Sequence, residues 1–301
     1  MSMNISPRVA AYMTAVVAMW SLTATVETVT LSGLTPLQFG AWGTAFGTAG
    51  AALVTFLRGN GRRLAAYGVK NHLRLFVCSL LGFGVYFALK FTAYTISPPP
   101  QANVLQYTFT LFIVLFAVPF MGQPLPPMKL AGVLVGFAGA AVVMTGGNLS
   151  AVETAFLPGY FCAVGAGVSF ALFSVLSDVW RLSGMSALVY FHAYSSAVLF
   201  LALALKGELA VPSSAVSFGG VFYSGFVTNV MGIYLWLAAQ RESDDVSVLT
   251  GILYLIPFFS LLSFKFYLGL VIPLSAYAGL ALIVAGLTIH RLRKPSGLKP
   301  F

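Results

Sequence analysis

Charge is what this sequence has least of. Only 8% of its 301 residues are charged and 59% are hydrophobic, where a soluble domain carries about 25% charge. Hydropathy is high throughout, which excludes a soluble domain held by one anchor and leaves a polytopic membrane protein. Cysteine is nearly absent: Cys78 and Cys162 both fall inside apolar runs, so there is no disulfide framework and no clue to redox compartment. Histidine is scarce as well. His72, His192 and His290 are scattered, and no HExxH or GxSxG pattern occurs, so neither a metal site nor a hydrolase nucleophile is indicated. No cofactor is expected. Alternation of polar and apolar residues is missing too, and the continuous apolar runs exclude a transmembrane β-barrel.

What the chain does have is ten apolar runs, at 9–31, 34–57, 75–96, 98–120, 127–145, 159–180, 184–205, 215–239, 246–264 and 272–289. Each is roughly 20 residues, enough to cross about 30 Å of hydrocarbon as an α-helix. The expected fold is an all-α integral membrane protein of ten transmembrane helices, with no soluble domain in the loops. The first run is too long for a cleaved signal and lacks a small-residue cleavage pattern. The net charge of +9 raises the question of an acidic partner, and its distribution answers it. Arg8, Arg58, Arg62, Arg63, Lys70, Arg74, Lys129, Arg181, Arg241, Arg291, Arg293, Lys294 and Lys299 share one side when both termini lie there. Only Lys206 and Lys265 fall on the other side, and Lys90 lies within a span. This positive-inside bias makes both termini cytoplasmic. The basic loop "RGNGRRLAAYGVKNHLR" is then a topology signal with some attraction to anionic lipid, and no nucleic-acid partner is expected.

The chain also repeats itself. An offset of 147 positions lays Phe112 on Phe259, Gly122 on Gly269, Pro126 on Pro273, Ala131-Gly132 on Ala278-Gly279 and Ala138-Gly139 on Ala285-Gly286. Residues 1–148 and 149–301 are therefore read as two five-helix repeats. Five is odd, so the second copy runs through the membrane inverted. Inverted repeats are the architecture of secondary transporters, whose substrate site lies near the midplane between the halves.

Polar residues are few, and their spacing is informative. Asn103, Gln106, Tyr107 and Thr110 follow i, i+3, i+4, i+7, one face of a helix. The offset carries Asn103, Tyr107 and Thr110 to Thr250, Tyr254 and Pro257. In lipid such faces turn toward protein or water, either as two walls of one cavity or as packing glue between helices. In "WSLTATVETVT", Trp20, Thr23, Glu27 and Thr30 share a face, and so do Gly82, Tyr86 and Lys90 in the third run; Asn229 occupies the Gly82 position in the eighth. Lys90 lies about 22 Å along its helix from Leu75 at 1.5 Å per residue. Three readings of Glu27 and Lys90 stand at this point: snorkelling to the interface, pairing with each other, or direct contact with a substrate.

Other features read as structural. In "ISPPPQ", residues before proline avoid the helical region and proline is tolerated in a first turn, so Ser97 to Pro99 form a corner and Pro100 opens a helix. Gly40, Gly43, Gly47 and Gly50, like Gly132, Gly136 and Gly139, form small-residue faces that let membrane helices approach. Asp244 and Asp245 in "RESDD" suit a solvated corner before a helix N-terminus. His192 is expected to be a core histidine with its hydrogen bonds satisfied, or else a pH-sensitive ligand.

At this point the chain resembles a known family. "PPPQANVLQYTFTLFIVLFAVPFMGQPLPPMKLAGVLVGFAGAAVVM" and "DDVSVLTGILYLIPFFSLLSFKFYLGLVIPLSAYAGLALIVAGL" resemble the two EamA repeats of the drug/metabolite transporter superfamily, and "MWSLTATVETVTLSGLTPLQFGAW" resembles the start of the first. Within it the chain is most similar to the YddG-type exporters of aromatic amino acids. The resemblance implies a bacterial inner membrane, a cavity walled by helices 1, 3, 4, 6, 8 and 9, and a small-molecule substrate. Two departures stand out. The family's Gly-Glu after helices four and nine is here Gly122-Gln123 and Gly269-Leu270, and its mid-helix proline, kept as Pro257, is Thr110 in the first repeat. The function expected is export of aromatic or other uncharged amino acids across the lipid bilayer by alternating access; the sequence leaves the oligomeric state open and is compatible with a monomer. The alternatives are a drug or quaternary-ammonium exporter using Glu27, or an intramembrane enzyme built on Glu27–Lys90 or His192. A reporter fused after Phe301 should read as cytoplasmic; a periplasmic reading overturns the inverted topology.

Overall fold

The computed structural model describes residues 6–64, 67–148, 153–243, 249, 252–253 and 255–289. Thr250, Tyr254, Asp244, Asp245, His290 and the arginines and lysines after it lie outside the described residues. Among those described, all regular structure is helical. The membrane-length helices are α1 Pro7–Thr30, α2 Pro36–Leu57, α3 Val69–Ile96, α4 Pro99–Met121, α5 Pro127–Thr145, α6 Thr154–Val179, α7 Met185–Lys206 and α8 Ala215–Glu242. Two shorter apolar helices follow, α9 Leu255–Leu268 and α10 Leu274–Ile289.

Helix ends follow local chemistry. Ser6 caps α1 by accepting from the Val9 N–H, and Thr35 and Gln38 form a capping box on α2, supplying partners that a first turn lacks. Prolines open α1, α2, α4 and α5, where their missing N–H costs least. At the triple proline, Ser97 is extended and α4 begins at Pro99, one residue before the Pro100 expected from sequence. Gly122 and Gly269 end α4 and α9 with φ of 65° and 64°, the left-handed conformation that glycine enters without a Cβ penalty.

Two helices are not regular. α3 widens to a π-helix over Leu80–Val85, and α8 does so over Tyr223–Gly232. Under the 147-residue offset the first stretch falls on 227–232, inside the second. Widening displaces carbonyls from their usual intrahelical donors, and side chains meet several of them. Ser169 Oγ of α6 donates to the Leu81 carbonyl at 2.7 Å, Asn229 Nδ2 to that of Ser224 at 2.7 Å, and Trp20 Nε1 to that of Thr228 at 3.1 Å. α4 is interrupted at Tyr107 and Thr108, whose N–H groups bond three residues back to Val104 and Leu105.

Two buried apolar clusters flank the centre. One gathers residues of α4, α5, α6, α9 and α10 with the end of α3; the other gathers α2, α3, α7 and α8. The glycine faces read from sequence are contact faces. A Cβ on Gly47 would meet the His192 ring, and one on Gly40 would meet Leu199 at 3.3 Å. α5 and α10 cross backbone to backbone: Gly139 lies against the Gly279 carbonyl, and Gly286 against the Gly132 carbonyl. The offset converts one contact into the other.

A Cβ at Gly139 would sit 2.6 Å from the Gly279 carbonyl oxygen, with no flexible side chain to give way. Gly139→Ala is therefore expected to cost about 1–3 kcal/mol through overpacking. Gly219→Ala, with open space around it, should be neutral to stabilising by about 0.5–1 kcal/mol. Thermal unfolding in detergent checks both.

Candidate functional site

A cavity of about 680 Å³ lies among helices from the first and second parts of the chain, within the 300–1,000 Å³ range typical of ligand pockets. Its walls come from α1, α3, α4, α6, α8 and α9, the six helices the resemblance implied, with Leu188 and Phe191 of α7 added. At one end it reaches Leu182, exposed Ser183 and Gly184 beside Arg181. At the other it is closed by buried polar residues. It therefore opens toward the arginine-bearing face.

Ten of the twelve candidate residues line this cavity: Trp20, Thr23 and Glu27 on α1, Tyr86 and Lys90 on α3, Asn103, Gln106, Tyr107 and Thr110 on α4, and Asn229 on α8. The other two, Thr250 and Tyr254, lie outside the described residues. The packing-glue reading of the α4 stripe is partly right as well. Asn103 faces the cavity and also donates to Ser260 Oγ at 2.9 Å, while its Oδ1 accepts from Tyr94 OH at 3.0 Å. Gln106 donates through a short bond to Tyr86 OH, and Thr110 donates to the Tyr107 carbonyl at 2.8 Å. Thr23 Oγ1 meets Thr228 Oγ1 at 3.0 Å, tying α1 to the π-helical stretch of α8.

Glu27 and Lys90 do not snorkel. Lys90 Nζ stands 2.6 Å from Glu27 Oε2, with side-chain exposures of 8% and 1%. Ser224 Oγ donates to Glu27 Oε1 at 3.0 Å. The rings of Tyr86, Phe91 and Tyr94 surround the ammonium at 5.5–5.8 Å from their centroids. These two are the only charged side chains among the described lining residues, and their opposite charges sum to zero.

The rest of the wall is apolar and aromatic. Phe170 packs at 5.1 Å from both Tyr86 and Phe109 and at 5.5 Å from Phe173, ring centroid to centroid. Phe109, Phe170 and Phe173 were missed from sequence, because a phenylalanine in a membrane span is ordinary. The repeat held a signal for one of them: the 147-residue offset lays the candidate Thr23 on Phe170, and it also pairs Phe109 with Ile256 in the lining. It also lays Tyr86 on Ile233 and Lys90 on Leu237, so positions matched by the offset stand at the two ends of the cavity, and among the described lining residues only one end is charged.

His192 corrects an expectation. It is fully buried against Phe83, ring centroids 4.3 Å apart, yet among the described residues neither ring nitrogen has a hydrogen-bond partner. It is not among the cavity-lining residues, so it is neither a satisfied core histidine nor a ligand presented to the cavity. Among the described residues no group of three or more His, Cys, Asp or Glu could hold a metal.

Residues 8–145 match the model of the EamA-like transporter family. A curated relative from Ancylobacter novellus, named aromatic amino acid exporter YddG, is 37% identical over 98 residues, about a third of each chain. A probable terminal-alkyne amino-acid exporter from Streptantibioticus cattleyicolor is 28% identical over 222 residues, 72% of each chain. One solved crystal structure shares the fold, with a TM-score of 0.68 over 94% of this chain and 96% of its own at 23% identity. The likeness to EamA-type transporters thus holds on the family model over the first half of the chain. The match and the relatives' names support a membrane transporter and point away from catalysis.

Cavity exposure is testable with an impermeant thiol reagent applied to the arginine-bearing face. In a background with Cys78→Ala and Cys162→Ala, Tyr107→Cys and Phe170→Cys should label faster than Leu134→Cys on the outside of α5, which is 60% exposed to the bilayer region. Equal rates return the α4 stripe to packing glue.

Proposed function

We propose that this chain exports α-amino acids with aromatic or other uncharged side chains across a bacterial inner membrane. Its two inverted five-helix halves, 1–148 and 149–301, alternate access to the central cavity, with both termini cytoplasmic. One observation carries the substrate class: the described lining holds a single Glu27–Lys90 pair at one end and aromatic wall below it. An amino acid with an apolar side chain has the same layout, two opposite charges on one carbon and a hydrophobic remainder. Charged side chains would find no partner along Tyr86, Phe109, Phe170 and Phe173, and burying an unpaired charge is costly. Flat rings are suited to this wall through offset and edge contacts.

The same pair weighs against a quaternary-ammonium substrate. Glu27 is already neutralised, so a permanent cation would meet Lys90 as well. The names of the two curated relatives agree with the amino-acid reading. The matching π-helical stretches and the reciprocal α5–α10 contact support the two-repeat reading, and the π-helical stretches offer hinges at the depth of the cavity.

The opening toward the arginine-bearing face fits an exporter loading from the cytoplasm. Substrate enters past Ser183, its side chain settles among the aromatic rings, and its charges lie toward the closed end. Proteoliposomes preloaded with L-phenylalanine should accumulate labelled phenylalanine by counterflow, and L-glutamate and L-lysine should not replace it. Counterflow of tetraethylammonium without any of an amino acid overturns the proposal.

A further inference from the structure

The closed end of the cavity is a ring of polar contacts through four helices, α1, α3, α4 and α9, with α8 attached to it at Glu27. Ser224 of α8 bonds Glu27 of α1, and Glu27 pairs with Lys90 of α3. Lys90 lies under the ring of Tyr94, which donates to Asn103 of α4. Asn103 donates to Ser260 of α9, and Ser263 of α9 returns to α1 through Thr25 Oγ1 at 2.5 Å and the Ser21 carbonyl at 3.3 Å. Apart from the contacts that Glu27 and Lys90 themselves make, every link is a neutral hydrogen bond, and only one link joins two opposite charges. That link is Glu27–Lys90.

The pair is incompletely satisfied. Nζ and Oε2 are 2.6 Å apart, and among the described residues Oε2 has no other partner. Glu27 supplies the one oxygen that Lys90 meets among the described residues, and an ammonium has three donors. Each partner therefore has capacity for another.

We infer that the pair is an exchangeable lock on this ring. A zwitterion's ammonium takes the place of Lys90 at Glu27, its carboxylate takes the place of Glu27 at Lys90, and the ring parts where the two separate. The inference rests on the amino-acid reading above and adds which residues receive the substrate's charges and what their reception does. Charge stays balanced through the exchange: one ion pair becomes two, and no charge is left alone in a low-dielectric site. A ligand with only an amine would strand Lys90, and one with only a carboxylate would strand Glu27. Empty, the pair re-forms and the far end stays shut. A ligand shifts a conformational equilibrium only by its differential affinity for the two states, and here the differential lies in the split pair.

The test uses analogues that each keep one charge of phenylalanine, namely phenethylamine and 3-phenylpropionate, in counterflow with the full chain in proteoliposomes. Wild type should exchange phenylalanine and neither analogue. Glu27→Gln should lose about 100-fold for phenylalanine and gain at least about tenfold for 3-phenylpropionate; Lys90→Met should do the same in favour of phenethylamine. A merely structural pair would lose all three ligands together, or retain phenylalanine with its selectivity unchanged, and either result overturns the lock. Should a single variant aggregate, Glu27→Gln with Lys90→Met leaves no unpaired charge, and this folded double variant should no longer prefer phenylalanine to the analogues; a retained preference also overturns it. Wild type that exchanges no amino acid would sink the amino-acid reading itself. A second readout follows the ring. Thr23→Cys, one turn below Glu27, should label from the face opposite the arginines only when phenylalanine is present, and labelling that ignores phenylalanine contradicts the lock.

Discussion

A carboxylate and an ammonium 2.6 Å apart, almost wholly removed from solvent, set the terms for the surrounding structure. Either group alone near the centre of a bilayer costs about 3 kcal/mol on insertion scales, and removing one partner of a buried pair costs about 3–5 kcal/mol. The two must therefore arrive together, from helices that are not neighbours in sequence. Thr23 and Trp20 bond α1 to α8, and Ser224 holds the carboxylate from the same helix. On the other side Gln106 fixes Tyr86, one turn from Lys90. The hydrogen bonds around the cavity are arranged so that two side chains meet.

Irregular backbone concentrates at the same depth. Two π-helical stretches and the interruption of α4 all border the cavity. In hydrocarbon, backbone freed from a helix must find partners in protein or water. Ser169, Asn229 and Trp20 supply several of them. Irregular helices are thus confined to where facing helices carry donors, and a cavity wall is such a place.

Much of this was readable beforehand. Continuous hydropathy marks apolar spans whatever their packing, and a helical face is written in a 3.6-residue period, so the Asn103–Thr110 stripe pointed at the cavity. Boundaries were less legible: α3 begins at Val69 rather than Leu75 because a polar, amphipathic first turn carries no hydropathy signal. The choice among snorkelling, pairing and substrate contact for Lys90 depended on a distance between helices, which periodicity does not contain. Phe170 looked like any lipid-facing phenylalanine, and one added residue per turn in a π-helix leaves no mark in composition. Ser224 and Tyr94 were overlooked because hydroxyls in membrane spans usually bond their own backbone, as Thr28 and Thr48 do.

The glycine crossing of α5 and α10 bears on ancestry. Gly139 on Gly279 and Gly132 on Gly286 are one contact made twice, the self-complementary pattern of a twofold interface between identical subunits. A single five-helix chain, inserted in both orientations, could make that contact with itself. In such a dimer each substitution would land on both sides of the cavity at once, and a carboxylate at one end would force a carboxylate at the other. Fusion into one chain would lift that constraint. It would permit Lys90 opposite Leu237 and Glu27 opposite Ser174, and so a cavity whose two ends differ in charge.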